Sequence, residues 1–293
     1  MIQESILLDS VTELMEKAST VLPHDVREAL MRARSREPSG SVARDTLELM
    51  LQSSGLSRES GLPVCQDTGS PLVLARSVPT NSMPVVQKAV VEALRSLTKR
   101  GILRQNCVDP VTGRNTGDNT GEHVPQIHFL PSQGPTTLQV MFKGGGSENV
   151  STQYSLPHAG LDAGRDLEGV RKCVLDAVFR AQGKGCSPGI LGVCIGGDRA
   201  SGYLLAKEAL FRRLDLANES PALGRLEETI VKQANELGIG PMGLGGATTL
   251  LGAHFVSAGR HPACYFVTIS YSCWATRRAS VELDREGRIR RWL

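Results

Sequence analysis

Seven cysteines stand singly in this sequence, Cys65, Cys107, Cys173, Cys186, Cys194, Cys264 and Cys273, with no Cys-x-x-Cys pair among them. A zinc knuckle needs paired ligands at short spacing, and an odd number of scattered thiols makes a poor disulfide framework. Cys65, Cys186 and Cys273 occur in turns or at element ends beside Pro, Gly or Trp. Cys173 lies in an expected helix, Cys194 and Cys264 in or beside expected strands and Cys107 in a polar loop, where packing or incidental exposure accounts for a thiol. An iron–sulfur cluster accepts ligands far apart in sequence, because the fold assembles them. Full ligation takes four cysteines, so three would leave one iron open.

Four loop segments carry the remaining chemistry. Leu62-Pro63-Val64-Cys65-Gln66-Asp67-Thr68-Gly69 sets a thiol, an amide and a carboxylate before a glycine, which suits a turn presenting side chains to a ligand and equally a capped turn over a buried thiol. The run from Arg104 to Asn119 is dense in turn formers and holds two arginines, Arg104 and Arg114. Their forked guanidinium groups match a carboxylate, although a solvated loop has the same composition. In Lys143-Gly144-Gly145-Gly146-Ser147-Glu148-Asn149 the glycines let backbone amides approach a ligand or let the chain bend. The lysine precedes the glycines, so this is not a phosphate-binding P-loop. Gly185-Cys186-Ser187-Pro188-Gly189 leads through a strand to Gly196-Gly197-Asp198, where a helix start makes an anion site possible, but the Rossmann spacing of glycines is not met.

These segments need elements to hold them. Apolar positions at helical spacing run through residues 2–54, among them Leu7, Leu14, Val26, Leu30, Leu47 and Met50. Beyond them strands are expected at 71–78, 126–130, 137–142, 190–195 and 265–271, and helices at 84–99, 163–182, 198–213 and 223–237, with a charged strand or hairpin from Val281. The expected class is mixed α/β, of α+β type. Aromatic residues make up only 4%, so Leu, Val, Ile, Ala and Met must build the core. A net charge of +3 provides no concentrated basic face for nucleic acid. Glu236 to Arg260 encloses no charged residue, yet seven glycines and Pro241 interrupt it, so a buried loop and strand are expected and not a membrane span. The N-terminus lacks the basic and apolar regions of a secretory signal, which points to the cytoplasm.

At these residues the chain resembles the class I iron–sulfur fumarases and the alpha subunit of L(+)-tartrate dehydratase. Cys65-Gln66-Asp67-Thr68-Gly69, the Arg104 loop ending Asn115-Thr116-Gly117-Asp118-Asn119, Lys143 to Asn149, Gly185-Cys186 with Gly196-Gly197, and Cys273-Trp274-Ala275 follow that family's order and spacing. The resemblance implies a single hydro-lyase domain over residues 1–293, with a helical N-terminal region and two α/β lobes enclosing a loop-built cluster site. It implies that Cys65, Cys186 and Cys273 hold a four-iron, four-sulfide cluster with one open iron, and that Gln66, Asp67, Arg104 and Gly145 contact substrate. Asp67 and His261, the latter in Arg260-His261-Pro262, would assist proton movement.

Two positions depart from the pattern: Cys194 stands where the family commonly has Gly, and Cys186-Ser187-Pro188 replaces Cys-Pro-Pro. The single-chain fumarases continue into a smaller C-terminal domain that this sequence lacks, so the resemblance implies an alpha subunit completed by a separate beta subunit, in an α2β2 assembly. The expected reaction is addition or removal of water on a C4 dicarboxylate, fumarate to malate, or tartrate to oxaloacetate. Two rivals remain: a cluster-carrying subunit without turnover, and a cluster-free enzyme using Asp67 and His261 as an acid–base pair.

Overall fold

The computed structural model describes residues 2–293. In chain order the elements are α1 (Glu4–Thr20), α2 (His24–Arg36), α3 (Val42–Ser60), β1 (Ser70–Arg76), α4 (Met83–Lys99), β2 (Gln126–Leu130), β3 (Thr137–Lys143), α5 (Gly145–Asn149) and β4 (Thr152–Ser155). They continue with α6 (Leu167–Ala181), β5 (Gly189–Gly196), α7 (Arg199–Ala209), α8 (Pro221–Glu236), β6 (Leu250–Ala258), β7 (Phe266–Ser272), β8 (Arg277–Leu283) and β9 (Ile289–Trp292). Among the described residues no helix is long and apolar enough to cross a membrane.

The chain forms two compact units. The first comprises Met1–Pro23, Ser53–Gly144 and Ala275–Leu293, and the second His24–Gln52 and Gly145–Trp274. In the first unit a five-stranded sheet has the order β2-β1-β3-β8-β9, with β1 and β2 parallel and the other neighbours antiparallel. Leu7, Val11, Leu14 and Ala18 recur on one face of α1, and Val86, Val90, Leu94 and Leu97 on one face of α4. Both faces are buried with Val73, Val140 and Val281 of the sheet in one apolar core.

In the second unit the sheet has the order β4-β7-β5-β6, and β5 is buried along its whole length, as a strand flanked on both sides must be. Helices α6 and α8 place Val170, Val174, Leu226 and Ile230 against Leu191, Val193, Val267 and Ile269. The unpaired edge of β6 is capped by side chains: Asn235 Oδ1 accepts from the Thr249 and Leu250 amides, and Glu227 Oε1 from the Phe255 amide. That covering satisfies edge groups that would otherwise invite another strand.

The class and the helical opening agree with expectation. Neither α5 nor β4 was anticipated, because α5 is built on glycines and β4 spans only four residues. The helix after Gly196-Gly197 is α7, and its start is occupied by its own side chain. Asp198 Oδ1 accepts from the amides of Ala200 (2.8 Å) and Ser201 (3.0 Å), while Ser201 Oγ accepts from the Asp198 amide. The capping carboxylate takes the place of the anion that the glycine pair suggested.

The Ser201 hydroxyl and the Ser201 and Ala200 amides hold the Asp198 carboxyl below the usual carboxylate range. A depressed carboxyl contributes stability above its unfolded pKa and loses it as pH falls through the folded value. Asp198→Ala is therefore expected to lower the thermal midpoint at pH 7, with the gap from wild type closing as pH drops below about 4. Equal midpoints at pH 7 would show that the cap contributes nothing.

Candidate functional site

Cys186 and Cys273 come together through strand register in the second unit. Cys186 lies just before β5 and Cys273 just after β7, and the antiparallel pairing Ile190↔Ser272 and Leu191↔Tyr271 puts those two ends side by side. The Trp274 amide donates to the Cys186 carbonyl at 3.3 Å. Cys186 has φ +54° and ψ +64°, a left-handed conformation that is uncommon for a side chain with a Cβ. Ser187, fully buried, ties this turn down by donating to the Gly240 carbonyl at 2.6 Å and accepting from the Gly243 amide at 3.2 Å.

Tyr271 fills the space beneath the turn. A Cβ on Gly185 would fall 2.6 Å from its ring and one on Gly189 2.2 Å, so both positions flanking Cys186 exclude any side chain. The ring is only 2% exposed, and burial raises the pKa of its phenol, with the nearby thiols of Cys273 and Cys186 adding to the effect. The expected glycine segment meets the same sheet end. Because Thr152 pairs with Ile269 and Ser155 with Phe266, residues preceding β4 lie toward the Cys273 end of β7, and these form α5, whose first residue is Gly145.

In the first unit, Cys65-Gln66-Asp67-Thr68-Gly69 leads into β1. Gln66 and Asp67 are exposed and Cys65 is half-buried. Asp67 Oδ1 accepts from the Gly69 amide at 2.9 Å, closing the turn. Gly69 has φ +82°, and a Cβ there would meet the Lys143 carbonyl oxygen at 2.8 Å, so the loop lies directly on the end of β3. Thr68 is buried and accepts at Oγ1 from the Arg104 amide and from Asn106 Nδ2, each at 3.0 Å. Asn119, also buried, accepts from the Asn106 amide at 2.7 Å and donates to the Arg104 carbonyl at 2.5 Å. Through these bonds the Arg104 loop is anchored to the Asp67 turn with the Arg104 side chain outside. A cavity of about 150 Å³, bordered by Gly69, Ser70, Asn106 and Asn119, opens beside them. Pro71, Cys107, Val108 and Val124 complete its lining, and the space is room for about five waters.

The anchoring groups Thr68, Asn119, Ser187 and Tyr271 were not singled out from sequence. Arg277 was missed as well, although an arginine four residues after Cys273 and inside a strand was a visible anomaly. It is 1% exposed and donates from Nη1 to the Asp67 carbonyl and from Nε to the Phe142 carbonyl.

His261 is placed elsewhere. It precedes β7 by five residues, beside the end of β5 where Gly196 pairs with Ala258, and the Gly197 amide donates to the Gly259 carbonyl there. The eight residues of β5 separate that end from Cys186, a distance on the order of 20 Å. Within its unit His261 therefore does not join Cys186 and Cys273. Its Nδ1 accepts from the Ala263 amide at 3.1 Å, and Arg260 caps the same turn through the carbonyls of His261, Pro262 and Cys264.

Cys194 is fully buried in β5, and burial pushes its thiol up to about 11, as it does for Cys173 in α6. Both remain protonated near neutrality and are poor ligands there. Among the described residues no three His, Cys, Asp or Glu side chains converge to hold a single metal ion. A second cavity, of about 660 Å³, lies along β6 and α8 in the second unit, bordered by Arg212, Asn218, Glu227 and His254. None of the sequence-identified residues lines it.

The fold is an α+β chain in which the second unit brings two thiols to adjoining strand ends and the first unit holds a carboxylate turn beside an anchored arginine loop. The chain belongs to the fumarate hydratase (Fumerase) family, whose profile matches residues 8–282. It is 45% identical over 98% of its length to a Geobacillus stearothermophilus protein named for class I fumarate hydratase, of which it spans 57%. It is 33% identical over 96% of its length to a Methanocaldococcus jannaschii protein named for the L(+)-tartrate dehydratase alpha subunit, covering 99% of that chain. With the L(+)-tartrate dehydratase alpha subunit of Escherichia coli K12 the identity is 28% over 94% of this chain and 90% of that one.

Two predictions follow from these placements. Cys194 and Cys173 should resist alkylation in the folded chain at pH 8. Their raised pKa values also mean that their contribution to stability, complete below about pH 9, declines as pH rises toward 11. Rapid modification of either thiol at pH 8 in folded protein would contradict this. His261→Asn tests the proton-assisting role that the resemblance implies: a loss of hydro-lyase activity of about a hundredfold or more would support it, and unchanged activity would remove the histidine from the site.

Proposed function

We propose that this chain is the cluster-binding alpha part of a hydro-lyase that adds water to, or removes it from, a C4 dicarboxylate. The favoured reaction is hydration of fumarate to malate, with dehydration of tartrate to oxaloacetate as the second reading. Family membership supports the class of reaction, and the 45% identity to the Geobacillus protein, against 33% and 28% to the tartrate dehydratase relatives, favours fumarate. The structural observation that carries the reading is the adjoining placement of Cys186 and Cys273, with Cys186 held in a left-handed turn by Tyr271 and Ser187.

Cys65, Cys186 and Cys273 are the proposed ligands of a four-iron, four-sulfide cluster. The donor set fits such a group, since a cluster takes each thiolate at a separate iron and does not require the close convergence that a single ion needs. When bound, an iron lacking a cysteine would supply Lewis acidity toward the departing hydroxyl.

The chain's own residues supply position and charge. Arg104 offers a guanidinium fork to a substrate carboxylate, and the bonds from Thr68 and Asn119 to its backbone keep its loop against the Asp67 turn. Gln66, exposed on the same turn, can donate its amide to the second carboxylate or to the hydroxyl. Asp67 is the proposed proton-moving group; its Oδ1 is oriented by the Gly69 amide. Gly145, at the start of α5, adds backbone contact. As charge develops on the carboxylate next to the carbon losing its proton, fixed donors are more effective than water because they need no reorganisation. His261 is the second proposed proton-moving group, set at the far end of β5 from Cys186 within its own unit.

The alpha-subunit names of the Methanocaldococcus and Escherichia relatives support a beta partner, and with it we propose an α2β2 assembly in the cytoplasm.

The test is to purify the chain without oxygen and measure iron and acid-labile sulfide. Wild type and Cys194→Ala should each hold about four of both, while Cys65→Ala, Cys186→Ala and Cys273→Ala should lose them. Folded wild type free of iron after reconstitution, or cysteine variants indistinguishable from it, would remove the cluster and the hydro-lyase reading with it.

A further inference from the structure

The cavity of about 660 Å³ in the second unit has one wall that is fixed by its own hydrogen bonds. Arg212 donates from Nε to His254 Nδ1 at 2.9 Å and from Nη2 to Glu227 Oε1 at 2.5 Å. The same carboxylate oxygen accepts from Asn218 Nδ2 and from the Phe255 amide, each at 2.7 Å. His254 is 3% exposed, and accepting at Nδ1 places its proton on Nε2. The guanidinium and the carboxylate answer each other, so this wall is polar without net charge.

The remaining lining is largely apolar, with Leu214, Leu216, Val231 and Leu251 bordering the space. Leu214 lies over Gly252, where a Cβ would come within 2.4 Å of its Cδ2, so β6 offers backbone and no side chain at that point. An apolar cavity with a few fixed polar groups, within the range of about 300–1,000 Å³, is the ordinary form of a small-molecule site.

Charge at the rim narrows the choice of ligand. Arg36 and Lys232 border the cavity, and among the described residues neither forms a hydrogen bond or an ion pair. The acids there are mostly engaged: Glu227 by Arg212, and Asp215 by Arg213, which reaches its two oxygens at 2.9 and 2.6 Å. Asp25 accepts from the Leu214 amide at 2.8 Å, but it is buried and does not border the cavity. Glu228 stands one helical turn before Lys232 and offsets one of the two cations. One positive charge is left over at the rim.

We propose that this cavity binds an amphipathic monoanion, a molecule with an apolar body and a single carboxylate. The body lies against Leu214, Leu216, Val231 and Leu251, and the carboxylate meets Arg36 and Lys232. Neither Cys186, Cys273 nor Gly145 borders the cavity, so the inference stands independently of the cluster and of the hydro-lyase reading.

Calorimetric titration of the full chain with octanoate tests it, with octanamide, octylammonium and butyrate as controls. Octanoate should bind once per chain, more weakly as salt rises. Octanamide, which lacks the charge, should bind about fivefold less tightly, and octylammonium no better than octanamide. Butyrate, shorter by about four methylenes, should lose about a hundredfold. Lys232→Glu should cost about fivefold or more, Glu228→Gln should tighten binding, and Val231→Trp should abolish it by filling the space. Should Val231→Trp not fold, the two charge variants decide, because residues 228 and 232 are exposed.

Octanamide binding as tightly as octanoate, or octanoate affinity unmoved by every substitution, would overturn the proposal. Folded wild type that binds no octanoate would do the same. A stoichiometry that falls below one per chain as protein concentration rises would assign the cavity to contact between chains, which also overturns it.

Discussion

Tyr271 occupies the space that side chains at positions 185 and 189 would need, and the placement of the second unit's thiols depends on that exclusion. Because both neighbours are glycines, the turn can descend onto the aromatic ring and carry Cys186 through a left-handed conformation. The same ring belongs to β7, two residues before Cys273, so one side chain fixes the turn that bears one thiol and the strand that bears the other. Any bulkier residue at 185 or 189 must displace the ring or the turn, and either movement alters the separation of the two sulfurs. Ser187 and the Gly240 to Gly243 backbone brace the turn from its other side. A left-handed cysteine costs conformational energy, which packing around it must offset.

The first unit solves a related problem by hydrogen bonds. Its Cys65–Gly69 turn and arginine loop have few apolar side chains, so burial cannot hold them; instead Thr68, Asn119 and Arg277 each bond to backbone from beneath. All three are nearly inaccessible, which leaves Gln66, Asp67 and Arg104 at the surface on a support that is itself rigid. Deleting one of the supports would leave buried partners unsatisfied, at a cost usually larger than the net contribution of one hydrogen bond.

The helical opening and most strands were legible because apolar residues recur at the periods of helix and strand, as Leu7, Val11, Leu14 and Ala18 do in α1. The chemistry-bearing segments were legible by residue type. What sequence hid is what depends on distant partners. The lack of room at Gly185 and Gly189 is set by a tyrosine more than eighty positions away, and Arg277 is buried only because β8 pairs with β3. The glycine run after Lys143 gives a short helix where a loop was expected. His261 and Cys273 are twelve residues apart, close enough in sequence to suggest one site, yet β7 runs between them as an extended strand and carries them apart.

The central claim is that three cysteines of this chain hold a four-iron cluster whose fourth iron is open to substrate. Mössbauer spectroscopy of the chain reconstituted with iron-57, together with the proposed beta chain, tests this most directly. The account predicts one iron site distinct from the other three, whose signal alone changes when fumarate or tartrate is added. Four equivalent sites that ignore both compounds would contradict it.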